Sequence, residues 1–268
     1  MSAGTVILVG CGQMGSAMLR GWLASGAASD VAVVEPAGVP PALADAAGVR
    51  FYRNPAELVA PAPSAVVFAV KPQVIDAVVP DYRPWVQPQT LFLSIAAGKT
   101  IAGIEHHLGD AALVRTMPNT PAAIGRAITV ACANARVTTA QRQLCDALLA
   151  AIGETTWVED EGLLDAVTAV SGSGPAYVFL LIEALAAAGE QAGLPADLAL
   201  HLARSTVAGA GELAQRSGDD PARLREAVTS PGGTTRAALD VLMAEDGLPA
   251  MMQRAVAAAT RRSRELAS

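Results

Sequence analysis

From position 161 to its last residue the chain contains no lysine, and throughout it is poor in cysteine, histidine, aromatic and charged residues. Each shortage excludes something. Without lysine, the C-terminal part cannot hold a carbonyl or carboxylate on an ammonium group. The three cysteines, Cys11, Cys132 and Cys145, lie far apart with no paired spacing. That argues against a disulfide framework and fits a reducing cytoplasm. Of the three histidines, His106 and His107 are adjacent on an expected helix and point apart, and His201 lies far off, so no metal site is expected. A formal charge of −6 with no basic stripe disfavours a nucleic-acid partner. The first ten residues lack a basic region before their short apolar run, which reads into a fold rather than a signal peptide. The uncharged stretch 166–182 is interrupted by Gly172, Gly174 and Pro175. It falls short of the ~18 continuous apolar residues expected of a spanning helix. A soluble protein with no membrane partner is expected.

What is present is apolar and small. Hydrophobic residues make up 52% of the chain, ample for a buried core. Near-continuous β-branched runs predict strands over 5–9, 31–34, 49–52, 65–70, 91–94 and 113–117, with 127–132 and 154–158 as extensions. Such runs suit strands covered on both faces. Helical patterns lie between them, and this alternation implies a parallel sheet with helical crossovers. Asn54-Pro55-Ala56-Glu57 reads as a helix start. Thr138 and Gln141 suit a capping box for a helix ending at Gly153. After 159 the strands cease. Ala/Leu-rich helices follow over 161–170, 176–192, 195–217, 221–228, 234–246 and 249–266. The expected architecture is therefore α/β: a mostly parallel sheet domain over 1–160, then an all-α domain over 161–268. A helical domain this apolar either hides surface in a subunit interface or closes its own core; the pattern alone fits both.

The first strand runs into Gly10-Cys11-Gly12-Gln13-Met14-Gly15 and then a helix. Gly10 allows the tight turn, Gly12 lets the backbone approach a pyrophosphate, and Gly15 lets the helix pack on the strand. The helix N-terminus offers free N–H groups to phosphates. Strand before and helix after are what this Rossmann motif for NAD or NADP requires. A ligand-free glycine turn is the plain alternative. Glu35 sits twenty residues beyond Gly15, at the end of the second strand. An acid there hydrogen-bonds the adenosine ribose 2′-hydroxyl and repels a 2′-phosphate. No arginine or lysine stands between Glu35 and Arg50, which favours NADH over NADPH.

Five further segments carry unusual composition: Ala69-Val70-Lys71-Pro72, the loop around Ala97, Met117-Pro118-Asn119-Thr120-Pro121, the run from Ser171 to Tyr177, and Ser230-Pro231-Gly232-Gly233-Thr234-Thr235. The first three follow expected strands, whose carboxyl ends line ligand crevices in open α/β sheets. In this order, the segments resemble pyrroline-5-carboxylate reductase over nearly the whole chain. The resemblance implies a Rossmann domain followed by a helical dimerisation domain, in dimers that assemble further into rings. It implies reduction of 1-pyrroline-5-carboxylate to L-proline, the last step of proline biosynthesis, with NADPH or NADH. It places the pyrophosphate on Gly10 to Gly15, more cofactor contacts at Asn54, Ala69, Val70, Lys71, Pro72 and Ala97, and substrate at Ser230, Gly233, Thr234 and Thr235. Glu35-Pro36 departs from the family's common Ser or Asn-Arg.

An iminium accepts hydride readily, so no strong side-chain acid is needed; the cofactor carries the chemistry and the protein positions it. Thr235 is the candidate to hydrogen-bond the ring nitrogen, because a hydroxyl can donate or accept. The 230–235 loop also reads as a simple helix cap with a Pro-Gly turn. The run 171–175 reads as a joint between helices, Arg115 as half of an ion pair, and Trp157 and Tyr177 as core. Two other functions fit the same architecture: a different imine or hydroxy-acid dehydrogenase, disfavoured by the missing lysine, and a non-catalytic dinucleotide-binding regulator.

Overall fold

The computed structural model describes residues 4–58 and 62–267. Eight strands form one sheet in the order β3-β2-β1-β4-β5-β6-β7-β8. They are β1 (Val6–Val9), β2 (Val31–Val34), β3 (Val49–Tyr52), β4 (Ala65–Phe68), β5 (Leu91–Ser94), β6 (Ala112–Met117), β7 (Ala127–Ala133) and β8 (Gly153–Trp157). Every neighbouring pair is parallel except β6 and β7. The first six strands follow the doubly wound Rossmann order. Strand order reverses between β1 and β4, where the crevice at the carboxyl ends of the strands opens.

Both faces of the sheet are covered, which is why its strands read as unbroken apolar runs. On one face α1 (Gln13–Ser25) and α4 (Thr139–Ala150) pack Leu19, Trp22, Leu148 and Leu149 on Val6, Leu8 and Val31. The Trp22 indole N–H donates to the Leu148 carbonyl at 2.8 Å, satisfying the one polar atom of that buried ring. On the other face lie the short α2 (Ile75–Val78), the 3-10 turns around it and α3 (Ile101–Leu108). There Tyr82 meets Phe68 edge-on at 5.4 Å.

The predicted helix start at Asn54 is a single 3-10 turn, Pro55–Glu57. Asn54 Oδ1 accepts from the Ala56 N–H at 2.9 Å, an interaction that caps one turn as well as a full helix. Gly153 opens β8 rather than only ending α4. Its φ of 148° lets β8 pair tightly with β7, where any Cβ would strike the Ala127 backbone. Likewise 161–170 is not one regular helix. It comprises α5 (Leu163–Val167) and a π-helical turn over Thr168–Gly172.

The chain divides into two compact units, Met1–Gly172 with Ala259–Ser268, and Ser173–Ala258. The second consists of α6 (Gly174–Gln191), α7 (Ala196–Ser217), α8 (Pro221–Ala227), α9 (Thr234–Leu242) and the first part of α10 (Leu248–Ala267). The 234–246 helix of the sequence reading stops at Leu242. Helices α6 and α7 approach closely; a Cβ on Gly189 would lie 3.3 Å from that of Ala199. Their other faces expose Phe179, Leu180, Leu181, Leu185, Leu198, Leu202 and Leu213. The run Leu163–Gln191 is long and apolar enough to cross a membrane by length and composition alone. The end of α10 is held in the first unit, where Ser263 donates to Asp165 at 2.7 Å.

The capping box of α4 is complete. Thr138 Oγ1 accepts from the Gln141 N–H, and Gln141 Oε1 accepts from the Thr138 N–H at 2.9 Å. Replacing Thr138 by alanine should lower stability by about 1 kcal/mol. A urea midpoint unchanged from wild type would show that α4 does not depend on this cap.

Candidate functional site

The β1–α1 turn is built by steric limits on two of its three glycines. Gly10 has φ 91°, and a Cβ there would sit 2.8 Å from the Ala69 carbonyl oxygen of the segment after β4. A Cβ on Gly15 would strike the Gly10 carbonyl, so only glycine allows α1 to lie this close. Gly12 differs: nothing lies within 4 Å of its missing side chain. The Ser16 hydroxyl closes the turn by donating to the Cys11 carbonyl at 2.7 Å. No side chain caps α1, and its first turn holds no acid. Its N-terminal amides and positive dipole end are therefore available to an anion. The space over Gly12 is where a pyrophosphate fits.

A cavity of about 490 Å³ opens beside the turn. Gly10, Gly12, Glu35, Ala69, Val70 and Lys71 line it, together with Pro36, Pro55, Val74 and Tyr82. Glu35 is held by two backbone N–H groups. Its Oε2 accepts from Cys11 at 2.8 Å and its Oε1 from Ala37 at 3.1 Å. The carboxylate thus ties the end of β2 to the glycine turn. Burial pushes the Cys11 thiol up, a contact with Ser16 offsets part of this, and the charge of Glu35 adds to it. The thiol stays protonated at neutral pH.

The other expected cofactor residues are distributed around this cavity. Cys11 and Gly15 are buried behind the turn, whereas Gln13 and Met14 line a neighbouring cavity of about 410 Å³ with Arg20 and Thr120. Asn54 spends its side-chain oxygen on Ala56, and its neighbour Pro55 lines the larger cavity instead. Pro72 starts a 3-10 turn that directs the chain away from β4. Ala97 is half-buried in the loop after β5 and lines neither cavity. That loop is tied down by Ser94, whose carbonyl accepts from the Thr116 hydroxyl at 3.1 Å.

One residue with a structural role was invisible in sequence. Asn119 Nδ2 donates to the Ser171 carbonyl and its Oδ1 accepts from the Ile128 N–H, both at 3.1 Å. It fastens the π-helical turn to β7. Its only sequence signal is an asparagine between two prolines after a strand. Gly172 belongs to the same junction, since a Cβ there would lie 2.5 Å from the Met117 methyl. Arg115 is half of a buried ion pair, 2.8 Å from Glu161, whose same oxygen accepts from the Ile101 N–H. Trp157 is only half-buried; its N–H donates to Asp146 and its ring carries the Arg142 guanidinium at 4.2 Å. Tyr177, also expected in the core, is half-exposed.

The Ser230–Thr235 loop lies in the helical unit. Gly232 has φ 68°, and the Gly233 N–H donates to the Ser230 carbonyl at 3.1 Å, closing a tight turn. Gly233 caps α9 with extended backbone and no side-chain hydrogen bond. A simple Ser or Thr N-cap is therefore absent, and the first amides of α9 are free of side-chain acceptors. Thr234 is exposed and Thr235 half-buried.

Residues 161–266 match the pyrroline-5-carboxylate reductase dimerisation family, so the exposed apolar helices belong to a dimerisation domain. Residues 5–98 match the family described as NADP oxidoreductase, coenzyme F420-dependent. The chain is 41% identical to pyrroline-5-carboxylate reductase of Pseudomonas aeruginosa, covering 100% of this chain and 98% of that one. It is 39% identical to the Pisum sativum enzyme, covering 98% and 96%. Among solved structures, the pyrroline-5-carboxylate reductase of Coxiella burnetii superposes with a TM-score of 0.91 at 33% identity, covering both chains fully. The Plasmodium falciparum pyrroline carboxylate reductase with NADP bound gives 0.86 at 28% identity, again covering both fully. The chain belongs to the pyrroline-5-carboxylate reductase family, and with it to the nicotinamide-dependent oxidoreductases.

Proposed function

We propose that the protein reduces 1-pyrroline-5-carboxylate to L-proline in the last step of proline biosynthesis, using NADH or NADPH. The observation that carries this reading is the opening over Gly12, with glycines where a side chain would collide and clear space where a pyrophosphate would lie. The full-length likeness to named reductases supports the substrate.

Gly10, Cys11, Gly12, Gln13, Met14 and Gly15 form the pyrophosphate site: the N–H groups of Gly10 and Cys11 are spent on Val34 and Glu35, so the later amides of the turn and the α1 dipole hold the phosphates. Glu35 holds the adenosine ribose and favours NADH, while Asn54, Ala69, Val70, Lys71, Pro72 and Ala97 shape the rest of the dinucleotide site. The bound nicotinamide supplies the hydride. Ser230, Gly233, Thr234 and Thr235 bind the substrate. The uncapped amides of α9 suit its carboxylate, just as the α1 amides suit a phosphate. Thr235 holds the ring nitrogen by a hydroxyl that can follow its change of protonation. The functional division falls at 160/161. The helical domain forms a homodimer that assembles into a ring, and the protein works in solution in the cytoplasm. The large apolar side chains exposed on α6 and α7 support the dimer, because a lone domain seldom leaves so much apolar surface in water.

Purified protein mixed with pyrroline-5-carboxylate and either NADH or NADPH should consume the dinucleotide. Binding without turnover would make the protein a regulator instead. Thr235→Ala should lower kcat about tenfold or more while the Kd for dinucleotide stays within error; an unchanged kcat removes Thr235 from the reaction. The glycines give a paired test. Gly12→Ala should fold with unaltered stability yet lose dinucleotide affinity, whereas Gly15→Ala should lower Tm through collision with the Gly10 carbonyl. Equal behaviour of the two variants in both assays would contradict the assignment of Gly12 to ligand approach.

A further inference from the structure

The loop that follows β2 carries more than Glu35. Its Gly38 N–H donates to the Glu35 carbonyl at 2.9 Å, so residues 35–38 form one tight turn at the mouth of the dinucleotide cavity. A cation reaches this turn from outside the segment. Arg53 follows directly on β3, and β3 lies in parallel register with β2, Tyr52 opposite Val34. The Tyr52 carbonyl accepts from the Glu35 N–H at 2.9 Å, which fixes the two strand ends side by side. The Arg53 guanidinium then lies against the turn, 3.6 Å from where a Gly38 Cβ would be. Arg53 is exposed and makes no ion pair or hydrogen bond among the described residues. The nearby Arg50 is not equivalent, since it is paired with Asp30 at 2.7 Å.

We propose that Arg53 reads the 2′-phosphate of NADP(H), so that the chain uses both dinucleotides although Glu35 favours NAD(H). This rests on the dinucleotide reading of the cavity and adds a specificity residue to it. The chemistry is direct. The Glu35 carboxylate is pinned by two backbone N–H groups, so it takes a ribose hydroxyl and repels a phosphate in its place. A guanidinium beside the same turn, unpaired among the described residues, supplies the opposite bias, with the planar donor fork that suits phosphate oxygens. The two groups work against each other on one substituent, leaving modest discrimination. Sequence spacing hides the second group, because it arrives from the next strand rather than from the loop after β2.

The test separates the phosphate from the rest of the cofactor. Calorimetry on the full-length protein would compare 2′,5′-ADP with 5′-AMP, for wild type, Arg53→Ala, Arg53→Lys, Lys71→Ala and Glu35→Ser. Arg53→Ala should weaken 2′,5′-ADP about five- to tenfold and leave 5′-AMP within about twofold. Arg53→Lys should restore part of the loss. Glu35→Ser should tighten 2′,5′-ADP when Arg53 is present and much less in the double variant with Arg53→Ala. Equal weakening of both ligands, or of neither, overturns the proposal. So does a selective loss seen with Lys71→Ala and absent from Arg53→Ala, since Lys71 also lines the cavity. If wild type binds neither ligand nor NADH, the dinucleotide reading itself fails and this inference falls with it.

Discussion

Helix α1 lies so close to the carboxyl ends of β1 and β4 that no side chain fits at Gly10 or Gly15. Much of the site follows from that close approach. It sets the N-terminal amides of α1 at the point where strand order reverses, and it leaves clear space over Gly12. It also brings the Cys11 N–H to the end of β2, where Glu35 accepts from it. A bulkier turn would move the helix outward, and the free α1 amides, the Glu35 carboxylate and the cavity walls would lose their common origin. Glycine here is a packing requirement first and a ligand device second.

The helical unit follows a different logic. It encloses little: among the described residues of α6 and α7 only three alanines, Ala186, Ala199 and Ala203, are buried. Leucines and phenylalanine that would form a core elsewhere face outward. Membership of a dimerisation family gives this surface its physical reason. The unit is half of a core, and its stability is tied to protomer concentration rather than to its own contacts. Low charge and absent lysine suit helices that meet another copy of themselves.

Much of the sheet domain was legible in sequence because a strand covered on both faces must be apolar at every position. The central strands β1, β2, β4 and β5 could be read that way, whereas β3 and β8 are only partly buried and carry Arg50 and Glu154; the Thr138–Gln141 box was legible because its partners are three residues apart. Misreadings came where one local pattern serves two structures. Asn54-Pro55 caps a 3-10 turn as readily as a helix, and Gly153 both ends α4 and begins β8. The glycines after Val170 do mark a joint, from α5 through a π-helical turn to α6, and Gly172 is small because Met117 presses on it from β6. The loop before α9 reads both as a helix cap and as a ligand loop in sequence, and its cap residue, Gly233, makes no side-chain hydrogen bond to the helix.

By itself the sequence determined the strand–helix alternation, the glycine turn, the acid at the end of β2 and the family. Each is written in neighbouring residues, through burial periodicity or steric demand over one turn of chain. Only the tertiary structure decided what distant residues do for one another. Asn119 joins Ser171 to Ile128, Glu35 locks the Cys11 amide, and Arg53 comes to rest beside Gly38. Such contacts depend on strand register and on the handedness of crossovers, which set the meeting of side chains that sequence spacing leaves far apart.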